Sequence, residues 1–259
     1  MRVPKEEHSA KKEPLGDVDR LSVLGRPSGW PIMYQSWEKL LFLHWSLPSE
    51  LLRPLIPDPL AIDTFGGAAW VGITPFTMWG VRPVFLPALP LLSDSHELNV
   101  RTYVHLDGVP GIWFFSLDAS NTIAALGARL TFHLPYFNAR MSLEQRERTM
   151  YFTSRRTHPQ AAPAEFEAVW RVGKRLPRSA PDSLEFFLTE RYCLYSARGD
   201  ALYRTRIFHR PWPLHGAHLA SFRSTMIEAQ GLPSPMSDPL LHQQGEPLRV
   251  RVWPLSRVR

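Results

Sequence analysis

The segment ELNVRTYV, residues 97–104, places four polar side chains in one row if the chain is extended. Successive side chains of a β-strand point to opposite faces, so every second residue shares a face. A carboxylate can transfer protons, and a guanidinium can hold a carboxylate through two parallel hydrogen bonds. The row indicates either a sheet surface that meets water or the lining of a polar pocket. Its members are Glu97, Asn99, Arg101 and Tyr103.

A hairpin adds further polar groups to this row. The Asp107-Gly108 pair between two alternating runs is typical of a β-hairpin, and a four-residue turn at 107–110 pairs strand 97–105 with strand 112–119. The opposing pairs in this register are Arg101 with Ser116, Asn99 with Asp118, and Tyr103 with Phe114. A slip of one residue would move these groups to opposite faces.

Two functions fit such a cluster. Burying an arginine with two carboxylates is costly unless the charges pair with each other or serve a ligand. In the first interpretation a pocket binds a small carboxylate or carbonyl compound, and Glu97 and His44 are the candidates for proton transfer. In the second, the row is a buried network in a non-catalytic structural or interaction domain. The predicted ligand-binding residues are Asn99, Arg101, Tyr103, Ser116, Asp118, Trp70 and Trp113.

The segment SLEFFLTERYCLYS raises a similar question. Glu190 and Arg191 are adjacent, so on a single strand they cannot share one face. One of them must be paired or must line a cavity, unless the element is distorted or both of its faces are exposed.

Other common chemistries lack their motifs. His215 and His218 are three residues apart with His209 upstream, but no HExxH or cysteine pair accompanies them, so no metal is predicted. Cys193 is the single cysteine and has apolar neighbours, which predicts a buried, inert thiol and no intrachain disulfide. Neither GxSxG, a Walker A loop nor GxGxxG appears, and no cofactor is predicted.

Composition limits the class of protein and its partners. The chain has 259 residues, a formal charge of +6 and an isoelectric point near 9.7, but its basic residues are scattered, so no nucleic-acid partner is predicted. The N-terminus lacks the apolar core of a signal peptide, and no apolar run reaches the roughly 18 residues of a membrane span. A cytoplasmic protein without a membrane partner is expected, and a homo-oligomer is possible.

The order of elements predicts a mainly β fold. The 25 prolines are about twice the usual share of roughly 5%, which favours short strands over long helices. Residues 1–29 are expected to form a disordered extension, and residues 30–259 a single domain. Helices are predicted at 121–128 and, with Gly231 as its stop, at 216–229. These patterns favour an antiparallel barrel or sheet with a few peripheral helices.

Several long motifs resemble those of the YqjF-like family of bacterial proteins, from about Met33 to Trp253. That family is grouped with the acetoacetate decarboxylase-like superfamily. The resemblance therefore implies a β-rich fold around a cone-shaped barrel with a central cavity, and a Glu97 row that faces inward. The motifs are LLFLHW, DTFGGAAWVGITPF, VRPVFLPALP, ELNVRTYV, GIWFFSLDA, SLEFFLTERYCLY and HRPWPL.

The resemblance does not extend to the lysine of the decarboxylase, which forms a Schiff base. In that enzyme the lysine follows a strand glutamate by about six residues. If Glu97 matches that glutamate, the corresponding region holds Arg101 and Tyr103 but no lysine. Arginine stays protonated and cannot replace it, so Schiff-base chemistry is not predicted. The lysines of the chain are Lys5, Lys11, Lys12, Lys39 and Lys174.

Overall fold

The computed structural model describes residues 18–88 and 93–259, and strands dominate these ranges. The strands are β1 (Met33–Glu38), β2 (Leu41–Leu47), β3 (Ala61–Ile62), β4 (Ala69–Pro83), β5 (Ser95–Leu106), β6 (Val109–Ala119), β7 (Tyr136–Arg146), β8 (Thr149–Arg156), β9 (Glu165–Arg175), β10 (Cys193–Arg198), β11 (Ala201–Phe208), β12 (Leu214–Ser224), β13 (Leu240–Gln244), β14 (Leu248–Val252) and β15 (Ser256–Arg257). The helices are α1 (Ser49–Leu52), α2 (Thr122–Phe132) and α3 (Leu184–Thr189), with 3-10 turns at Arg53–Leu55 and Glu228–Gln230. The predicted mainly β class is confirmed.

The strands join one mixed sheet. Strand β6 runs parallel to β7 and to β10, whereas the other paired strands are antiparallel. The prediction of a purely antiparallel sheet was therefore wrong, and the sheet as a whole is not one clear barrel. Within it, successive pairings connect β1, β4, β5, β6, β10, β11 and β14 into a closed circuit.

Strand β5 lies between β4 and β6 and is buried on both faces. Leu98, Val100 and Val104 are fully buried in the largest hydrophobic cluster, so this face belongs to the core as predicted. On the opposite face Glu97 and Arg101 are also buried. The interpretation of the polar row as a surface that meets water was therefore wrong.

The hairpin register differs from the predicted one. Asp107 and Gly108 form a two-residue turn, both with positive φ, and Leu106 pairs with Val109. Positive φ at both positions is the geometry that favours this dipeptide in tight hairpins. A register shift between Val100 and Arg101 leaves β6 with one extra residue. The resulting pairs are Arg101 with Phe114, Asn99 with Leu117, Val100 with Ser116 and Leu98 with Asp118.

The prediction of a helix was right at one position and wrong at the other. Helix α2 begins where expected, and the Asn121 side chain accepts a hydrogen bond from the Ala124 amide at 3.1 Å. Residues 214–224, however, form β12, which pairs with β9 and β13. Pairing on both sides overrode the apolar spacing that suggested a helix. Glycine allows the close approach of β9 and β12, because a Cβ on Gly173 would lie 2.7 Å from the Gly216 carbonyl oxygen.

The start of the described chain packs against the sheet. Val23 is buried beside Tyr192 and Cys193, and the Trp253 indole donates a hydrogen bond to the Ser28 carbonyl at 2.9 Å. Packed chain thus lies before the predicted boundary at residue 30, and residues 1–17 of the predicted extension lie outside the described residues. No helix in the described part of the chain combines the length and the apolar character needed to cross a membrane.

Candidate functional site

A cavity of about 470 Å³ lies within the circuit of seven strands. All seven strands contribute to its wall, and α2 covers part of it through small residues. The wall is mostly apolar, which suits the body of a small organic molecule. Its polar and charged residues include Thr74, Glu97, Asn99, Arg101, Tyr136, Arg191, Thr205 and His209.

Three of these residues come from β5 because alternation along that strand places them on the cavity face. Glu97, Asn99 and Arg101 all line the cavity, as the alternating pattern indicated. Neighbouring strands extend the same face, since Thr74 of β4 pairs with Asn99 and Phe76 pairs with Glu97. Sheet pairing therefore fixes the spacing of the central polar groups.

Arg101 has no carboxylate partner in the described ranges. Only 7% of the residue is exposed, and one guanidinium nitrogen, Nη2, donates to the Leu188 carbonyl at 3.2 Å. The guanidinium carbon lies 5.3 Å from the centroid of the Phe42 ring. Its Nε makes no hydrogen bond to any described residue. Arg101 is therefore held in place but is not neutralised by an ion pair.

Several polar atoms of the cavity-lining residues are buried without a hydrogen-bond partner in the described structure. They are Asn99 Oδ1, Thr74 Oγ1 and Thr205 Oγ1. Buried polar groups in folded proteins are almost always hydrogen-bonded to protein or water. Because all three residues line the cavity, they are available to water or to a ligand.

Glu97 lies at the same face with one defined partner. The Tyr136 hydroxyl donates a hydrogen bond to Glu97 Oε2 at 3.0 Å. Burial raises the pKa of Glu97 to about 8, Asp118 acts in the same direction, and the Tyr136 hydrogen bond opposes it. The carboxylic acid form therefore predominates at neutral pH, and that form can donate a hydrogen bond or a proton.

His209 provides a neutral imidazole on another part of the wall. Its Nδ1 lies 2.8 Å from the Arg210 carbonyl oxygen, and a carbonyl can only accept, so Nδ1 carries the proton. Burial lowers the pKa of His209 to about 4, although the carbonyls of Arg210 and Arg191 oppose this shift. Its Nε2 has no hydrogen-bond partner in the described ranges.

Glu190 and Arg191, which could not share one face of a strand, are both buried, and each has its own polar partners. The segment leaves α3 at this point, and Arg191 Nη1 forms an ion pair with Asp63 Oδ2 at 2.7 Å. Glu190 Oε1 accepts from the Trp212 amide at 2.9 Å, and its Oε2 accepts from the Tyr192 hydroxyl. Arg191 lines the cavity, but unlike Arg101 it has a carboxylate partner, Asp63, which it shares with Arg20.

Tyr103 and His44, both predicted site residues, lie outside the cavity lining. The Tyr103 hydroxyl donates to the Leu188 carbonyl at 2.7 Å and lies 2.8 Å from His44 Nε2. Both residues are buried, and neither is part of the lining. Burial lowers the pKa of His44 well below its usual value, and Arg101 and His242 act in the same direction. Tyr103 and Arg101 instead both donate to the Leu188 carbonyl, and His44 lies beside the Tyr103 hydroxyl.

The remaining four predicted residues do not line the cavity with Glu97. The register shift turns Ser116 and Asp118 to the opposite face, where the Arg156 guanidinium pairs with Asp118 and Gln230 Nε2 donates to Ser116 Oγ at 3.2 Å. The other two are tryptophans. Trp70 packs near Tyr103 and Phe187, and Trp113 packs against the main hydrophobic cluster.

Comparison with known proteins gives the family of the chain. The family DUF2071, described as an uncharacterized conserved protein, matches residues 34–246. This chain belongs to the DUF2071 family. A relative, the uncharacterized protein YqjF of Bacillus subtilis (strain 168), is 42% identical over 236 residues, which cover 89% of this chain and 94% of that protein.

Solved structures with the same fold confirm the predicted acetoacetate decarboxylase-like architecture of this DUF2071 chain. The enduracididine biosynthesis enzyme MppR, complexed with pyruvate, has a TM-score of 0.62 at 10% identity, with 88% of this chain and 91% of that chain covered. An acetoacetate decarboxylase from Legionella pneumophila has a TM-score of 0.59 at 13% identity, with coverage of 95% and 97%. An acetoacetate decarboxylase-like enzyme from Sphingomonas wittichii RW1 has a TM-score of 0.58 at 9% identity, with coverage of 88% and 94%. At these identities the likeness shows the fold alone.

The lysines of the DUF2071 chain do not reach the cavity wall in the described structure. Lys39 and Lys174 are absent from the lining, and Lys39 lies 3.8 Å from Glu38. Cys193 does line the cavity, but burial raises its pKa to about 11, which keeps the thiol protonated. Among the described residues, no group of three or more His, Cys, Asp or Glu side chains is arranged to hold a metal ion.

The sequence analysis missed several residues of the cavity wall, and for only one of them did the sequence indicate a place in a cavity. Arg191 was marked by its conflict with Glu190. His209 had been grouped with His215 and His218, but those two lie on β12, apart from the cavity. Tyr136, Thr74 and Thr205 occupy ordinary strand positions, and nothing in their neighbours along the chain distinguishes them.

Proposed function

We propose that this chain binds a small organic carboxylate in the central cavity, with Arg101 holding the carboxylate. The observation that carries the proposal is the buried guanidinium of Arg101, which lines the cavity without a carboxylate partner in the described structure. Arginine is suited to this role because its planar group matches a carboxylate through two hydrogen bonds.

Charge balance supports this assignment. An uncompensated charge inside a protein costs several kcal/mol, about 3–5 kcal/mol when a buried pair is broken. A ligand carboxylate would supply the missing negative charge. The contacts of Arg101 with Leu188 and Phe42 fix the guanidinium beforehand, which reduces the entropy lost on binding.

The neighbouring groups favour a carbonyl or hydroxyl next to that carboxylate. Glu97 in its acid form can donate a hydrogen bond to a carbonyl oxygen, and Asn99 and Thr74 offer further unpaired polar atoms. A 2-oxo acid carries both functions in one small molecule. MppR, which shares the fold, has been solved with pyruvate, a molecule of this class. The apolar remainder of the wall suits a 2-oxo acid with an aliphatic or aromatic side chain.

Within this proposal Glu97 is the group that would transfer a proton to the bound molecule. Glu97 lines the cavity and has a pKa near the neutral range, which is the condition for general acid–base catalysis. His44 is assigned a different role, since its Nε2 lies beside the Tyr103 hydroxyl. The cytoplasmic location expected from the sequence belongs to the same proposal, and cell fractionation tests it.

A thermal-shift panel tests the proposed function. The panel contains pyruvate, 2-oxo acids with longer side chains, and pyruvamide as a neutral counterpart. The acids are expected to raise the Tm of the wild-type protein in a saturable manner, by an amount equivalent to about 2.7 kcal/mol at a concentration 100 times the dissociation constant. Pyruvamide and the Arg101→Met variant should give no shift. A shift that survives in Arg101→Met contradicts the proposal.

The alternative is a structural role for the polar row. It is favoured by the hydrogen bond from Arg101 to the Leu188 carbonyl, which joins β5 to the end of α3. On that account Arg101→Met unfolds more easily and no organic acid stabilises the protein. Binding of nucleic acid is a third function, and it would show as a strongly salt-dependent affinity.

A further inference from the structure

A second cavity, of about 650 Å³, lies beside the C-terminal end of α2. We call it the arginine groove, after Arg129 at the end of α2 and Arg198 at the end of β10. The groove also contains Trp113 and Phe115 of β6 and the buried Ser196. The central cavity and the groove share Phe114 and Leu134 in their walls, while Arg101 and Glu97 line only the central cavity.

The groove is positively charged. No aspartate or glutamate is among its lining residues, and neither arginine forms an ion pair with a carboxylate in the described ranges. Arg129 Nη1 lies 3.3 Å from His158 Nε2, while its buried Nε has no hydrogen-bond partner in the described structure. Ser196 is 2% exposed, and its hydroxyl likewise has no hydrogen-bond partner in the described structure. An anion bound in the groove could accept hydrogen bonds from both the Arg129 guanidinium and the Ser196 hydroxyl.

The groove also offers flat apolar surface. Trp113 and Phe115 are half-buried, and both belong to the part of β6 that the register shift distorts. On α2, Leu130 adds an apolar side chain that is 68% exposed. Aromatic rings and arginines together form sites for planar anions, because rings stack and guanidinium groups pair with negative charge.

We infer that the arginine groove binds a second small ligand, an anion carried on a planar apolar body. Aromatic carboxylates, sulfonates and phosphate esters share this chemistry. Arg129 and Arg198 contact the anionic group, and Trp113 and Phe115 contact the planar body. This inference is independent of the proposed function, since it uses neither Arg101 nor Glu97.

Fluorescence titration with the aromatic sulfonate 8-anilinonaphthalene-1-sulfonate tests the inference. Its uncharged counterpart, N-phenyl-1-naphthylamine, separates the effect of charge from that of apolar contact. The wild-type protein is expected to bind the sulfonate saturably, and the Arg129→Gln/Arg198→Gln double variant about tenfold more weakly or worse, since each lost charge-assisted hydrogen bond removes binding energy. The uncharged probe should bind both proteins equally.

Two further variants locate the binding. Arg249 is exposed on β14 and lines neither cavity, so Arg249→Gln is the matched control for charge removal and should leave the affinity unchanged. Arg101→Met should also leave it unchanged. Loss of sulfonate binding in Arg101→Met, an equal loss in Arg249→Gln, or the absence of saturable binding overturns the inference. Arg198→Gln alone, at an exposed position, repeats the test if the double variant does not fold.

Discussion

The Arg156 guanidinium holds the Asp118 carboxylate in a two-pronged ion pair, with Nη2 at 2.7 Å from Oδ1 and Nε at 2.9 Å from Oδ2. Both side chains are almost fully buried on the face of β6 that turns away from the central cavity. The sequence left open whether Arg101 pairs with a carboxylate of the row, such as Asp118, or with one on a ligand. Because Asp118 pairs with Arg156, Arg101 has no carboxylate partner among the described residues and keeps its positive charge at the cavity wall.

This pairing predicts opposite effects for two buried arginines. Arg156→Met leaves the Asp118 carboxylate buried without its partner and should lower the free energy of unfolding by about 3–5 kcal/mol. Arg101→Met removes a buried charge that has no carboxylate partner in the described structure, together with its hydrogen bond to the Leu188 carbonyl. The free energy of unfolding should stay unchanged or rise. Urea denaturation of both variants measures the difference. Equal and severe destabilisation by the two changes would show that Arg101 belongs to a structural network.

The raised pKa of Glu97 predicts a pH dependence of stability. The folded protein keeps the Glu97 proton up to a pKa of about 8, whereas the unfolded chain loses it near the ordinary glutamate pKa of 4.5. Between these values the folded state binds more protons, so the Glu97 contribution to stability is present at low pH and is lost as the pH rises. Relative to Glu97→Gln, the wild-type free energy of unfolding should fall by about 1.4 kcal/mol per pH unit in this window. Urea denaturation from about pH 5 to 8 measures both slopes.

Tyr136→Phe serves as the control for this assignment. The Tyr136 hydrogen bond favours the Glu97 carboxylate and therefore lowers its pKa. Without the hydroxyl, the pKa of Glu97 should rise, and the loss of stability should extend to higher pH. Parallel slopes in the wild-type and Glu97→Gln proteins would mean that Glu97 is already ionised when folded.

Tyr103 is predicted to affect stability rather than ligand binding. Its hydroxyl is hydrogen-bonded to the Leu188 carbonyl and lies beside His44, and the side chain is not part of the cavity lining. Tyr103→Phe leaves His44 Nε2 without its partner and removes one of the two donors to the Leu188 carbonyl, which keeps its hydrogen bond from Arg101. This change should cost about 1–3 kcal/mol. The dissociation constant for the organic acid should stay within about twofold of the wild-type value. A large loss of affinity with unchanged stability would place Tyr103 in the binding site instead.

The absence of a lysine from the described cavity wall predicts that no imine forms with a bound 2-oxo acid. Treatment with pyruvate and cyanoborohydride, followed by intact-mass analysis, should give no more adduct in the wild-type protein than in Arg101→Met. A stoichiometric adduct that disappears in Lys39→Arg or Lys174→Arg would show that a lysine reaches the ligand. Peptide mapping identifies any residue modified.

The polar row of β5 was accessible from sequence because strand alternation is a local property. Glu97, Asn99 and Arg101 needed only the two-residue period of an extended chain to be placed on one face. Their burial depended on the strands on either side, which a single hairpin does not reveal. The position of Ser116 and Asp118 depended on one extra residue in β6, and such a bulge has no reliable sequence signal here.

The remaining differences have the same physical origin. Apolar spacing in residues 214–224 is compatible with a helix, but the segment pairs with β9 and β13, and these contacts decide its conformation. The one sequence feature that reflects this close strand pairing is Gly173, whose missing side chain leaves room for the Gly216 backbone. The partner of Asp118 lies 38 residues away, and that of Arg191 lies 128 residues away, so neither follows from local pattern.

Calorimetric titration of a 2-oxo acid into the wild-type and Arg101→Met proteins tests the central claim most directly. The acid is the one that gives the largest thermal shift, and the Arg249→Met variant controls for loss of a positive charge elsewhere. The wild-type and Arg249→Met proteins should bind one molecule per chain with equal dissociation constants, and Arg101→Met should bind at least about tenfold more weakly. Equal affinity in the wild-type and Arg101→Met proteins would contradict the assignment of Arg101 as the carboxylate anchor.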